Sequence, residues 1–375
     1  MSASLPGPEW IDLARADDPR DVVHRAVACL AQGGTVGLST ETDYGLAASA
    51  LHPDAVARLR RVDPDEQRPL TLLLKGDGEA PDWAPGLSPL GRRLARRAWP
   101  GPVTFEYPGL ACRGLAGRLP TSVYPLAVHD ETLALRVPSR PFVREVLRFS
   151  PGPLLLSRVV PPGGGVATTA EHLADLVDID MIVDDGPAPL GMPSTVVRVE
   201  PERWSIVRPG VVDAKTMTRI AGTIYLFVCT GNTCRSPMAE SLCKVLLAQR
   251  LGVRIEDLEE NGHVILSAGM AAMSGMPAAA NAIEVVRSRG GSLQDHASRQ
   301  VTAELVQHAD LILTMTNEHL ESLLDQFPGA ASRVRVLHPR GGDVDDPVGA
   351  DRQTYEQTAQ EIEGYLRKFL DDPGP

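Results

Sequence analysis

The sequence predicts an α/β protein of two domains: a mixed α/β domain of many strands, then a small parallel sheet with helices on both faces. Three observations lead there. The chain has 375 residues, more than a single core usually supports. Its first part holds many short strand candidates punctuated by Gly and Pro, whereas from Ile224 onward strands and helices alternate regularly. Residues 224–228 form an apolar run that leads directly into the loop 229–237, CTGNTCRSP, and then a helical pattern from Met238.

Composition narrows the class. An apolar fraction of 43% and a charged fraction of 23% are those of a soluble globular protein, and a net charge of -11 gives no general reason to expect nonspecific nucleic-acid binding. Five cysteines, an odd number, do not make a disulfide scaffold. No secretory leader pattern and no bilayer-length apolar stretch occurs, so a cytoplasmic protein without a membrane partner is expected. The ends, residues 1–9 and 371–375, read as frayed tails.

The first domain is placed at residues 15–215. Residues 22–31 read as a helix, 33–50 as turn, strand, polar loop and small-residue segment, and 58–62 as the end of a second amphipathic segment. Residues 69–74 (PLTLLL) are an apolar strand, 90–98 a helix with arginines on its wet side, and 99–107 a proline-bounded turn and strand. Residues 133–137, 153–157, 179–183 and 194–199 are further strands, with helices at 140–147 and 170–176. The glycines at 163–165 have no Walker spacing behind them and read as a loop.

The segments GGTVGLSTETDYGL, PLTLLL, WPGPVTF, LALRVP, GMPSTVV and IVRPG, as a set, resemble the YrdC-like family of threonylcarbamoyl-AMP synthases over most of residues 20–212. The resemblance implies a twisted mixed sheet around a large cavity. There, threonine, bicarbonate and ATP (with Mg) become threonylcarbamoyl-AMP and pyrophosphate for a tRNA modification. It also implies that Thr40, Thr42 and Tyr44 line the substrate cavity, with Arg136, Ser157, Ser194, Thr195 and Arg208 on the nucleotide side. The chain departs from the pattern at three places, the first being Ser39, where the family usually has a proline before Thr40. The family's KxR cations fall on Val62 and Pro64, leaving Arg60, Arg61 and Arg68 as nearby substitutes, and its serine-rich phosphate segment is LSRVV at 156–160. Val159 and Val160 have no side-chain donor to offer. Two readings therefore stand: an active synthase, or a catalytically inactive nucleotide- or RNA-binding adaptor.

Residues 211–223 carry little apolar periodicity and are expected to be the junction, with the second domain at 222–375. Here 225–229 is a strand, 238–250 a helix, 264–267 a strand, 278–289 and 302–308 helices, 311–315 a strand, 317–327 a helix, 334–337 a strand and 356–369 a closing helix. Such alternation places ligands at the carboxyl ends of the strands, where the loop lies. A strand, loop and helix in series make an anion site from backbone amides and the helix dipole. Within it, Cys229 supplies a thiol whose anionic form that site favours, and Arg235 a guanidinium that can hold two phosphoryl oxygens. A leaving group needs an acid, and 342–349 (GDVDDPVG) offers Asp343, Asp345 and Asp346. Asp346 is preferred because Pro347 stiffens its backbone, with Asp345 in reserve.

VCTGNTCRSPMAE, SAG, DHASRQVT, ADLILTMT and DDPVG closely resemble the low-molecular-weight protein tyrosine phosphatase family, over residues 224–372. The resemblance implies two-step hydrolysis through phosphocysteine without metal or other cofactor, acting on a phosphorylated protein. Cys229 would be the nucleophile, Arg235 the clamp, Asp346 the acid, Ser236 the thiolate's hydrogen-bond partner and Asn232 the loop's stabiliser, with Thr230, Gly231, Thr233 and Cys234 completing the loop. Thr233 stands where tyrosine-directed members carry an apolar branched residue, so CTGNTCRSP resembles the branch that acts on phosphoarginine, which is favoured over the alternative, phosphotyrosine. Cys234 is read two ways, as a disulfide partner for Cys229 under oxidation or as a small buried hydrophobe. His296 and Arg299 are expected to anchor a loop, and the remaining histidines of the domain show no metal-ligand spacing.

Overall fold

The computed structural model describes residues 7–63, 65, 67–110, 114–176 and 179–371. Pro64, one of the two positions at which the family's cations would fall, lies outside the described residues, as do the tail residues 1–6 and 372–375. The chain divides into two compact units, Met1–Met217 and Thr218–Pro375.

The strands of unit 1 are β1 (Glu9–Asp12), β2 (Thr35–Ser39), β3 (Tyr44–Ser49), β4 (Thr71–Leu73), β5 (Val103–Pro108), β6 (Val128–His129), β7 (Thr132–Arg136), β8 (Leu154–Arg158), β9 (Met181–Asp184), β10 (Thr195–Val199) and β11 (Trp204–Arg208). Among the described residues they form one mixed sheet in the order β1-β9-β2-β3-β8-β4-β7-β5-β10-β11, with β6 paired to β7. Helices Pro19–Ala31 and Pro141–Phe149 cover one region of it. The first is started by Asp18, whose carboxylate accepts from Arg20 N, and by Pro19 in the first turn. Its Val22, Val23, Ala26 and Leu30 recur at helical spacing and pack with Phe142, Val143 and Val146 of the second helix over Val36 and Leu38.

Unit 2 holds β12 (Thr223–Cys229), β13 (His263–Gly269), β14 (Leu311–Thr314) and β15 (Val334–Val336), all parallel, in the order β13-β12-β14-β15. Alternation along β12 splits the core in two. Tyr225, Phe227 and Cys229 pack with helices Arg235–Leu251 and Arg352–Asp371, while Leu226 and Val228 pack against Val306 and Leu323 on the opposite face. The fold is thus α/β, with a mixed sheet and a separate parallel one.

Several expectations about elements need correction. Glu9 is not part of a frayed tail: it opens β1, which pairs in parallel with β9. The junction expected at 211–223 does contain the division between the units, between Met217 and Thr218, but it holds an unexpected helix, Ala214–Ala221, capped by Asp213 and with Met217 buried. The helix expected at 170–176 is a 3-10 turn, Ala170–Leu173. Strand β11 had been visible only as the motif IVRPG.

Candidate active site

β12 ends on Cys229 at the point where the strand order reverses, with β13 on one side and β14 on the other. Such a switch point opens a crevice beyond the carboxyl ends of the strands. Cys229 falls on the face of β12 that carries Phe227, so its thiol is turned toward the side on which helix Arg235–Leu251 packs. That helix starts six residues later, and its positive end closes the loop.

Asn232 organises the loop. Its backbone is left-handed, with φ 55°, a conformation that asparagine tolerates better than most residues. Its side-chain nitrogen donates to Ser236 Oγ at 3.0 Å and Ser267 Oγ at 2.9 Å, and its oxygen accepts from Arg299 N at 2.9 Å. His296 Nε2 lies 2.8 Å from the Asn232 carbonyl. Behind them, Ser267 donates to Glu240 at 2.6 Å, and Glu240 is paired with Lys244. The Cys229 thiol receives Asn232 N–H at 3.3 Å and sits 2.9 Å from Ser236 Oγ. One backbone donor and one hydroxyl therefore meet the sulfur, and the hydroxyl also lies within donating reach of the Ala268 carbonyl at 3.3 Å.

Arg235 is buried, donating to the Val344 carbonyl at 3.1 Å and to Asp346 Oδ2 at 2.5 Å. Asp343 holds the same acidic loop to the start of helix Asn317–Gln326, accepting from Asn317 N at 2.8 Å. Asp345 is exposed. Of the three carboxylates, Asp346 is the one brought to the guanidinium.

Three further contacts shape the loop. Thr230 Oγ1 is 2.8 Å from His319 Nε2, and His319 Nδ1 is 2.8 Å from the capping hydroxyl of Thr316. Burial, reinforced by the charge of Arg235, pushes the His319 imidazole below its ordinary value. Cys234 is a buried free thiol 3.1 Å from Tyr355 OH, whose own titration is raised by burial and by that contact. Thr233 is half-buried, and its hydroxyl makes one long contact, 3.7 Å, with Cys234 Sγ. The neighbouring loop after β13 exposes Met273 (74%) and Met276, and the acidic loop exposes Val348.

Unit 1 contains a second polar site, a cavity of about 50 Å³ across the central strands of the sheet. Arg68, Arg136, Arg158 and Arg208 line it, together with Ser157, Ser194 and the carboxylates of Asp43, Asp63, Asp65 and Glu106. Arg136 is 2% exposed and bonds Glu41 Oε1 and Thr42 Oγ1, each at 2.9 Å. Burial works to raise the Glu41 carboxyl, yet the charge and hydrogen bond of Arg136 hold it below its ordinary value. Thr40 Oγ1 is 2.8 Å from Thr42 Oγ1, and Arg208 donates to Ser194 Oγ at 3.1 Å.

Two family models match the chain. Residues 225–372 match low molecular weight phosphotyrosine protein phosphatase, and residues 28–210 match the Sua5/YciO/YrdC model, described as telomere recombination. A protein-arginine-phosphatase of Bacillus subtilis is 38% identical over 148 residues, which are 38% of this chain and 92% of that protein. The chain belongs to the low-molecular-weight protein phosphatase family. A probable low molecular weight protein-tyrosine-phosphatase, EpsP, of Ralstonia solanacearum is 33% identical over 139 residues, 37% of this chain and 87% of the relative. A threonylcarbamoyl-AMP synthase of Bacillus subtilis is 28% identical over 219 residues, 57% of this chain; the chain spans 60% of that protein's length. The phosphatase unit is thus fused to a Sua5/YrdC-like unit.

In the phosphatase unit the structure brings together Cys229, Thr230, Gly231, Asn232, Thr233, Cys234, Arg235, Ser236 and Asp346. Sequence reasoning missed His319, Tyr355 and the Ser267 to Glu240 support. His319 had a signal, since Thr316 followed three residues later by a polar side chain is a capping pattern. In the Sua5/YrdC-like unit, Arg136, Ser157, Ser194 and Arg208 meet in the cavity, and Thr42 reaches it through Arg136. Four residues do not: besides Tyr44 and Arg61, Thr40 Oγ1 donates to the Asp43 carbonyl at 2.9 Å and Thr195 Oγ1 donates to the Val212 carbonyl at 2.9 Å, both outside the lining. Tyr44 donates to the Gly186 carbonyl at 2.7 Å on the side of β3 opposite Gly45, which lines the cavity, and Arg61 is exposed and outside the lining. Arg68, not Arg61, is the cation at that end.

Proposed function

We propose that unit 2 hydrolyses phosphoarginine in proteins through a phosphocysteine. The Cys229 thiolate attacks phosphorus, forming the S–P bond as the P–N bond breaks, and Asp346 gives its proton to the departing guanidine nitrogen. The Asp346 carboxylate then takes a proton from water, which cleaves S–P and releases inorganic phosphate. Arg235 holds the equatorial oxygens throughout. The observation that carries the substrate choice is Thr233: a half-buried hydroxyl whose one contact is long, so it can bond a guanidinium. The exposed side chains around the pocket, Met273, Met276 and Val348, support this reading because none offers an aromatic wall to a tyrosine ring. On matched peptides, kcat/KM should favour phosphoarginine, and Thr233→Ile should move the ratio about tenfold toward phosphotyrosine. An unchanged ratio would abandon the choice while leaving the phosphatase chemistry standing.

For unit 1, the match raises synthesis of threonylcarbamoyl-AMP from threonine, bicarbonate and ATP. The residues do not fit ATP with Mg. The cavity is about 50 Å³, whereas sites for molecules of that size are on the order of several hundred Å³. Asp63 and Asp65 add carboxylates to a wall that would face phosphates, and Val62 stands at one of the family's cation positions. We read unit 1 as an adaptor descended from a synthase. Pyrophosphate release from ATP that depends on both threonine and bicarbonate would refute this.

A further inference from the structure

The start of helix Asn317–Gln326 touches both halves of the catalytic machinery of unit 2. On one side it carries the acidic loop. Asp343 Oδ1 accepts from Asn317 N at 2.8 Å and from the Asn317 side-chain nitrogen at 2.9 Å, and Val344 N, two residues ahead of Asp346, donates to the Met315 carbonyl at 2.8 Å. On the other side it reaches the nucleophile loop, through the 2.8 Å contact of His319 Nε2 with Thr230 Oγ1. Thr230 adjoins Cys229, and its carbonyl is held from the β13 side by Ala271 N–H at 2.9 Å. The segment that leads from β14 into the helix is itself fixed: Met315 N donates to the Val228 carbonyl at 2.9 Å, and the Thr314 hydroxyl to the Thr316 carbonyl at 3.1 Å.

The partners of the imidazole give its hydrogen bonds a direction. Thr316 Oγ1 already accepts from His319 N at 3.2 Å, so its own proton goes to His319 Nδ1, 2.8 Å away. A neutral ring that accepts at Nδ1 carries its proton on Nε2, which therefore donates to Thr230 Oγ1. Burial, then the charge of Arg235, favour that neutral ring against the opposing carboxylates of Glu318, Asp346 and Asp343. Filling space alone needs no polar ring at a position 7% exposed, because an apolar side chain does it without desolvating two nitrogens. We propose that His319 is a positioning residue for the phosphatase reaction: by holding Thr230 to the mount that carries the acidic loop, it sets the register between the Cys229 thiolate and the Asp346 acid. The assignment rests on the phosphocysteine reading of unit 2. A displacement of about 1 Å between reacting groups costs on the order of 10²-fold in rate, so a single hydrogen bond at this seam weighs on turnover.

The test uses the full-length chain on whichever phosphopeptide the wild type turns over, with Cys229→Ser as the blank. His319→Leu and Thr230→Val should each lower kcat about tenfold or more while KM moves less than about threefold. The double variant should fall no more than about twofold below the slower single one, because both substitutions remove the same contact. His319→Gln, whose side-chain nitrogen still reaches Thr230 as a donor, should return to within about threefold of wild type. On an aryl phosphate whose phenolate departs unprotonated, the loss in His319→Leu should shrink to less than about threefold, whereas a general loosening of the fold lowers both substrates alike. Undiminished turnover in the single variants, losses that multiply in the double one, a glutamine no better than leucine in protein with an unchanged far-UV spectrum, or equal losses on the two substrates would each overturn the assignment. A wild type no faster than Cys229→Ser on either substrate would overturn the phosphatase reading itself, and this assignment with it.

Discussion

Asn232 stood in the sequence as the loop's stabiliser through the resemblance, and the structure supplies the reason: a backbone with φ 55° and a side chain that serves three partners. Alanine there loses those bonds in a buried setting. We expect Asn232→Ala to cost about 2–4 kcal/mol in denaturant unfolding and to lower kcat more than KM. Asp346 differs: the choice between it and Asp345 rested on Pro347 in the sequence, and in the structure it rests on a 2.5 Å contact with Arg235. Asp346→Asn should lower kcat about 10²–10⁴-fold on phosphoarginine peptide. The loss should shrink on a phosphate ester whose leaving group departs without protonation; equal losses would remove the residue from the acid role. His319 adds a pH dependence. Its folded value is depressed below about 6.5, so the stability from the neutral ring is present above that pH and is lost as pH falls through the folded value. The wild-type Tm should therefore drop more steeply than that of His319→Gln between pH 7 and 5, and parallel curves would refute it.

At the scale of elements, what could be read from the sequence followed contrast in burial. β12 was clear because buried residues on two opposite faces produce an unbroken apolar run. β1 and β11 were not, because each is an edge strand paired on one side, and β11 carries mostly intermediate burial that leaves no alternation to detect. The helix Ala214–Ala221 does carry a period, with Ala214, Met217, Ile220 and Ala221 on one face, but eight residues are too short a window for it to stand out. The close approach of elements was also hidden. A Cβ at Gly269, the last residue of β13, would lie 2.5 Å from the Thr230 carbonyl and 2.9 Å from Asn232 N. These are backbone atoms of the phosphate loop and cannot swing away. Gly269→Ala should thus reduce kcat more than about tenfold in a protein that remains folded, as judged by circular dichroism.

For the molecule as a whole, unit 2 carries its own sheet and its own two-sided core, and its family match spans residues 225–372. Residues 213–375 produced alone should hydrolyse phosphopeptide with kcat/KM within about threefold of the full chain. A larger loss would mean that unit 1 contributes to turnover. The loop CTGNTCRSP and its strand and helix context were legible without coordinates, because a nucleophile and a clamp six positions apart on one loop are a local matter of spacing. Contacts between residues far apart in the chain were not. The pairing of Asp346 with Arg235, the support of Thr230 by His319, the turning of Tyr44 away from Arg136 and the meeting of Arg68, Arg136 and Arg208 around one small cavity all join segments brought together only by sheet order and strand register. Local spacing is written in the chain itself, but which distant side chains share a wall depends on how the strands pair, and a single step of register would have turned each of them to the other face.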